Sequence, residues 1–214
     1  MKACIFDLDG VIVDTAKYHF VAWKKLAEEL GISLTEEDNE RLKGVSRMES
    51  LNIILSLGGL DVDDPEKIRL ADKKNDWFVN YINEMKKEEI FPGVISLLQS
   101  LKEKKAKIAL ASSSKNAKTV IDKLEIRDWF EVIVDGTMIT HSKPDPEIFL
   151  LAAERLGVEP KDCIVVEDAE AGVEAAKSAG MKCIGIGSVA QLGKADVVVN
   201  QIEELSTETL EKQF

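Results

Sequence analysis

Two pairs of carboxylates carry the strongest chemical signal in this chain. The first is Asp7 and Asp9, in the stretch Ile5-Phe6-Asp7-Leu8-Asp9-Gly10-Val11, where a short apolar run ends in an acid and meets a turn. The second, Glu167-Asp168, ends another apolar run, Cys163-Ile164-Val165-Val166. Asp-Gly favours turns, which explains Asp9 alone but leaves Asp7 as a charge at the end of a buried strand. A buried carboxylate without a partner is too costly to stand uncompensated. Four acids brought to one sheet edge repel one another, and a hard divalent cation relieves that repulsion. Oxygen-only donors with phosphate nearby point to magnesium, held by Asp7, Asp9, Glu167 and Asp168.

The neighbouring motifs suit a phosphate. The run Lys107–Ala111 leads into Ser112-Ser113-Ser114-Lys115-Asn116, where a helix begins. Hydroxyls, backbone donors and a helix N-terminus together make an anion site, although a Ser run before a helix is by itself usually an N-cap. Ser142-Lys143-Pro144-Asp145-Pro146 places a lone ammonium in a Pro-stiffened loop. Beside four acids and a serine, Lys143 both neutralises phosphate and holds the carboxylates. With His19 and His141 the only histidines, a His-rich metal site is excluded and a serine triad nearly so. Cys4, Cys163 and Cys183 each sit in an apolar run, too far apart for a thiolate zinc site, and read as small buried hydrophobes in a reducing cytoplasm.

Positioning these groups requires a sheet. Candidate strands are Ala3–Phe6, Lys107–Ala111, Val132–Val134, Cys163–Val166, Lys182–Ile186 and Asp196–Val199, near-continuous in Val, Ile, Leu and Ala as parallel strands covered on both faces are. Helical patterns alternate with them: Val94–Lys104, Ala117–Leu124, Pro146–Leu156 and Ala169–Ala179. That alternation implies an α/β fold, a doubly wound parallel-sheet (Rossmann-like) core. From residue 15 to 89 no strand is evident. Helices over Ala16–Leu30, Glu36–Leu42, Met48–Leu57 and Pro65–Lys87 predict an inserted all-helical cap. The expected organisation is a core of residues 1–14 and 90–214 with a cap of residues 15–89. The insertion leaves the chain at the sheet edge where ligands bind in such folds.

Composition narrows the partners. The 214 residues hold 28 Lys and Arg against 39 Asp and Glu, a formal net charge of −11, which disfavours nucleic acid and anionic membranes. No run approaches the ~18 apolar residues that cross a bilayer, and Asp7 interrupts the start of the chain before a signal-peptide core forms. The expectation is a cytoplasmic monomer acting on a small molecule.

The order of these motifs, DxD at the first strand, Ser at the second, Lys-Pro, then Glu-Asp at the fourth, resembles the haloacid dehalogenase superfamily of phosphoryl-transfer enzymes. The likeness covers the whole chain, and the helical insertion matches the cap of its first subclass. It implies that Asp7 is the nucleophile and Asp9 the general acid/base, a residue the dehalogenases themselves lack. It also implies a cis peptide at Lys143-Pro144, aiming the lysine at the phosphate.

Within the superfamily, Asp14-Thr15-Ala16-Lys17-Tyr18-His19-Phe20 with Trp23, Leu42-Lys43-Gly44-Val45-Ser46-Arg47, and Lys74-Asn75-Asp76 are similar to its sugar-phosphate mutases. That similarity implies magnesium-dependent interconversion of β-D-glucose 1-phosphate and glucose 6-phosphate through β-glucose 1,6-bisphosphate. Arg47, Ser114 and Asn116, with Lys115, would hold the non-transferring phosphate, and Ser112 and Lys143 the transferring one. His19, Trp23, Lys43, Gly44, Val45, Ser50 and Lys74 would contact the sugar, with Thr15 at the hinge. On cap closure, His19 would become the new partner of Asp9. Two other readings stay open: a capped phosphatase acting on small sugar or polyol phosphates, whose acids, Ser and Lys are identical, and a non-catalytic phosphoacceptor. Receiver-like modules of the latter kind are shorter, lack the cap and phosphorylate a central Asp.

Overall fold

In the computed structural model, which describes residues 2–213, strand β1 (Ala3–Phe6) runs directly into the turn that carries Asp7 and Asp9. Four helices follow with no strand between them: α1 (Ala16–Glu29), α2 (Glu36–Glu40), α3 (Arg47–Leu57) and α4 (Asp64–Asn83). Local chemistry starts three of them. The Thr35 hydroxyl accepts from the Asp38 N–H while the Asp38 carboxylate accepts from the Thr35 N–H, and the Ser46 and Asp63 side chains accept from the N–H groups of Glu49 and Glu66. Their buried positions recur at helical spacing. Trp23, Leu26 and Ala27 of α1, Leu51, Ile54 and Leu55 of α3, and Leu70 and Ala71 of α4 pack into one apolar cluster. The insertion therefore has a core of its own, apart from the sheet.

The chain then builds the sheet through α5 (Val94–Glu103), β2 (Lys107–Ala111), α6 (Ala117–Lys123), β3 (Val132–Val134), α7 (Glu147–Leu156), β4 (Cys163–Glu167), α8 (Glu170–Ser178), β5 (Lys182–Ile186), α9 (Val189–Leu192), β6 (Val197–Val199) and α10 (Thr207–Gln213). Strand order is β3-β2-β1-β4-β5-β6, every pairing parallel. Alternate residues of the central strand face opposite layers: Cys4 and Phe6 pack with α5 and α6, Ala3 and Ile5 with α7 and α8. Phe6 pairs with Leu110 on one side and Val166 on the other, so Asp7, Ser112 and Glu167-Asp168 all emerge at one edge. This is the topological switch point, where the winding reverses around β1.

Two passages join insertion and sheet, and they touch. Val13 bridges Ile90, and the Phe91 N–H donates to the Ile12 carbonyl at 2.9 Å. That return crossing ends the fourth helix earlier than its pattern predicts. Instead of running to Lys87, α4 stops at Asn83, and a single 3₁₀ turn over Lys87–Glu89, tied by the Glu89 carboxylate to the Lys86 N–H, redirects the chain. Asp196, expected in the last strand, precedes it, because its carboxylate accepts from the Cys183 N–H and pairs with Lys177 and Lys182. The short α9 and the C-terminal α10 have no counterpart in the sequence expectation. Among the described residues, no helix is long and apolar enough to cross a membrane.

Candidate active site

Lys143 is the hub of the acid cluster. It is fully buried, and its ammonium lies 2.5 Å from Asp7 Oδ1 and 2.5 Å from Glu167 Oε1, at the end of a loop whose Lys143-Pro144 peptide is cis. Glu167 engages its other oxygen with the Ala169 N–H at 2.8 Å. Burial opposes the charge on Lys143, but Asp7 and Glu167 outweigh it and hold the lysine above its usual range. Asp7 is pushed up to about 8 by burial, with Lys143 opposing and Glu167 and Asp9 adding to the rise. Asp168 is raised as well, by burial and then by Glu167 and Asp7. One ammonium does not balance this many carboxylates.

Asp7, Glu167 and Asp168 each offer an oxygen within 4.8 Å of the others, a crowded all-oxygen set that fits a hard divalent cation. The Asp9 carboxylate, expected as a fourth ligand, is not in this trio. It is pushed up to about 6 by burial, opposed by Lys143 and Lys74 and reinforced by Glu167 and Asp14. Two glycines make room for the cluster. Gly10 sits at φ +77°, and a Cβ there would lie 1.9 Å from Asp168 Oδ2. A Cβ on Gly172 would lie 1.8 Å from Glu167 Oε1.

The serine run forms the next wall. Ser112 is buried and its hydroxyl accepts from the Ser114 N–H at 3.1 Å, while the Ser114 hydroxyl accepts from the Asn116 N–H at 3.2 Å. Ser113, which sequence reasoning gave no role, donates to the Gly44 carbonyl at 2.9 Å and so ties the sheet to the insertion.

From the insertion, Arg47 extends one guanidinium nitrogen to Asn75 Oδ1 at 2.8 Å, and the same oxygen accepts from Asn116 Nδ2 at 2.8 Å. Asn75 was also missed, since nothing in its local pattern marks it apart from its neighbour Lys74. Lys74 is buried between Trp23 and Phe78, its ammonium 4.5 Å and 4.7 Å from their ring centroids. Its nitrogen is 2.7 Å from His19 Nδ1, and the His19 ring stacks on Phe78 at 3.8 Å. His19, expected to partner Asp9, is thus engaged by Lys74 instead. Burial, then Lys74 and Arg47, holds His19 well below the usual histidine range, while burial and Arg47 lower Lys74 against the opposing pull of Asp9.

Both sides face a cavity of about 690 Å³. Asp7, Asp9, Ser114, Lys115, Asn116 and Asp168 line it from the sheet, and His19, Trp23, Lys43, Gly44, Val45, Arg47, Ser50 and Lys74 from the insertion. Ser112, Lys143 and Glu167 are buried beside it without lining it. Thr15, the expected hinge, is buried at the head of α1, with no hydrogen-bond partner for its hydroxyl among the described residues.

The arrangement combines a carboxylate in a crowded all-oxygen set, a second carboxylate with a raised pKa, and a separate guanidinium across one cavity. A family profile described as haloacid dehalogenase-like hydrolase matches residues 1–180. The chain is 48% identical to the β-phosphoglucomutase of Bacillus subtilis (strain 168), over its full length and 96% of that protein. It is 39% identical to a phosphorylated carbohydrates phosphatase of Thermotoga maritima, over 86% of this chain and 84% of the other. Among solved structures, β-phosphoglucomutase from Clostridium difficile superposes with a TM-score of 0.97 at 45% identity, covering 100% of this chain and 96% of that one. With the family profile matching residues 1–180 and similarity of this extent to these proteins, the chain belongs to the haloacid dehalogenase-like hydrolase family.

Proposed function

We propose that this enzyme is a phosphoryl-transfer mutase interconverting β-D-glucose 1-phosphate and glucose 6-phosphate through β-glucose 1,6-bisphosphate. One observation carries the reading: Arg47 lines the same cavity as Asp7 and Asp9 but reaches it from the opposite wall. A mutase must hold a bisphosphate either way round, so it needs a phosphate grip apart from the nucleophile. The guanidinium fork supplies that grip bidentately. The full-length similarity to the Bacillus mutase supports it.

In this reading Asp7 attacks phosphorus in line and becomes an aspartyl phosphate, while the sugar oxygen leaves with a proton from Asp9. The second half reverses the roles, with Asp9 taking the proton of the accepting hydroxyl. A free Asp, at pKa ~3.9, holds almost no proton at neutral pH. Burial brings Asp9 to about 6, where it can both give and take one. Lys143, 2.5 Å from Asp7, opposes the burial that raises the Asp7 carboxyl and compensates the transferring group. Magnesium, held by Asp7, Glu167 and Asp168 beside the Asp9 turn, would supply positive charge to the phosphoryl oxygens when bound. Lys43, Gly44, Val45, Ser50, Trp23, His19 and Lys74 form the sugar-facing wall, Ser114, Lys115 and Asn116 complete the second phosphate site, and Thr15 is the pivot between the two halves. The division of the chain into a core of residues 1–14 and 90–214 and a cap of residues 15–89 belongs to the same proposal, as does a cytoplasmic monomer.

The similarity to the Thermotoga phosphatase favours one other reading, hydrolysis of a small sugar phosphate. Incubation with β-glucose 1-phosphate, magnesium and a trace of the bisphosphate separates the two. The mutase reading expects glucose 6-phosphate. Free phosphate as the main product would overturn it.

A further inference from the structure

Asn75 joins the two walls of the cavity at a single atom. Its Oδ1 accepts from Arg47 Nη2 and from Asn116 Nδ2, each at 2.8 Å. Arg47 begins α3 in the insertion, whereas Asn116 immediately precedes α6 on the sheet. An amide oxygen has two lone pairs, and both are engaged here. Arg47 and Asn116 line the cavity but Asn75 does not, so it holds the pair from behind.

We propose that Asn75 is a positioning residue for the second phosphate site, a neutral acceptor that orients the Arg47 guanidinium and the Asn116 amide toward the cavity without cancelling the charge on Arg47. The proposal rests on the mutase reading and deepens it. Neutrality is the point of the arrangement. Arg47 is partly buried, and burial already works against its charge. Its nearest carboxylate, Asp72 at 3.6 Å, is largely exposed and therefore a weak competitor. A carboxylate at position 75 would instead meet Arg47 at full hydrogen-bond distance, away from water, and compete with phosphate for the same fork. With an amide there, one N–H is used for orientation and the remaining donors stay available. The clasp also spans insertion and sheet, so Arg47 and Asn116 reach their working separation only when the two halves are together.

The test uses the full chain with magnesium and a trace of β-glucose 1,6-bisphosphate, following isomerisation of β-glucose 1-phosphate. Asn75→Ala should raise KM about tenfold, the usual value of one hydrogen bond to a charged group, with kcat changed less than about threefold. Asn75→Asp keeps the shape and should raise KM further than Asn75→Ala does. The double variant Arg47→Ala/Asn75→Ala should lose clearly less than the two single losses combined, because much of the Asn75 effect passes through Arg47. Additive losses, an Asn75→Asp enzyme with the KM of wild type, or a fall in kcat at constant KM would each overturn the proposal while wild type still isomerises. Wild type that releases only free phosphate would overturn the mutase reading, and this proposal with it. Should Asn75→Ala fail to fold, the isosteric Asn75→Asp carries the test.

Discussion

Asp7 lines the cavity and yet is buried, so its charge is expensive to hold. Its neighbours Lys143 and Glu167 are themselves buried, so the site depends on charge balance as much as on shape. Asp7→Asn keeps the shape but removes the attacking charge and one oxygen donor of the trio. Turnover should fall by several powers of ten while the circular dichroism spectrum stays native, and residual activity above about a hundredth of wild type would exclude Asp7 as nucleophile. His19 gives a pH signature of a different kind. Its pKa is depressed in the folded chain, chiefly by burial and then by Lys74 and Arg47. Below about pH 6.5 the unfolded chain takes up a proton that folded His19 refuses, so its contribution to stability falls with pH by up to about 1.4 kcal/mol per unit. His19→Gln removes that step. Melting temperatures between pH 6.5 and 5 should decline less steeply in the variant, whereas parallel profiles would show that folded His19 protonates freely. The acids and the serines were legible at this scale because they follow apolar runs, and Lys143 because it is a lone ammonium in a Pro-stiffened loop. Asn75 and Ser113 were not, because their partners lie 41 and 69 residues away in the chain.

Elements matter here for where they end. Strands β1, β2 and β4 end within a residue of one another, and the last residue of β4 and the turns that follow carry the acids and the serine run. The start of α8 shows how tightly one such turn is packed, since Gly172 faces Glu167 with no space for a methyl group. Alanine is ordinarily a better helix residue than glycine, by about 1 kcal/mol. Gly172→Ala should nevertheless lower the melting temperature and weaken magnesium binding, because Glu167 must leave Lys143 or the Ala169 N–H. An unchanged metal affinity by calorimetry would show that Glu167 can move without consequence. Strand identity and helix starts were readable from apolar runs and from caps such as Ser46 and Asp63, which act within three residues. The end of α4 was not, because it is set by the return of the chain to pair Ile90 with Val13, a contact between distant positions.

At the scale of the whole molecule, the cavity is lined by both the insertion and the sheet. The insertion brings Arg47 and Lys74, the sheet brings Asp7 and Asp9, and the cavity between them holds both sets. Arg47→Ala should reduce mutase kcat/KM by roughly the 2–4 kcal/mol of an oriented charge-assisted clamp, with Arg47→Lys recovering only part, since a point charge lacks the fork. Isomerisation that survives Arg47→Ala would remove the main argument against a phosphatase. Chelation offers an independent check. Removing magnesium with EDTA should abolish isomerisation, and adding magnesium back should restore it and raise the melting temperature, because the ion binds the folded carboxylate cluster alone. Full activity in excess chelator would sink the metal assignment.

The sequence by itself determined what could be encoded locally: the strand and helix pattern, the acids and lysine near strand ends and in loops, and the caps. These follow from neighbours a few residues apart, where periodicity and turn preference act. Only the tertiary structure decided which of these groups meet. Asp9 stands apart from the carboxylate trio, His19 is claimed by Lys74 rather than by Asp9, and Asn75 clasps Arg47 to Asn116. Each depends on burial and on distances between segments far apart in the chain, and electrostatic interaction falls so steeply with distance and with solvent that no linear pattern can express it.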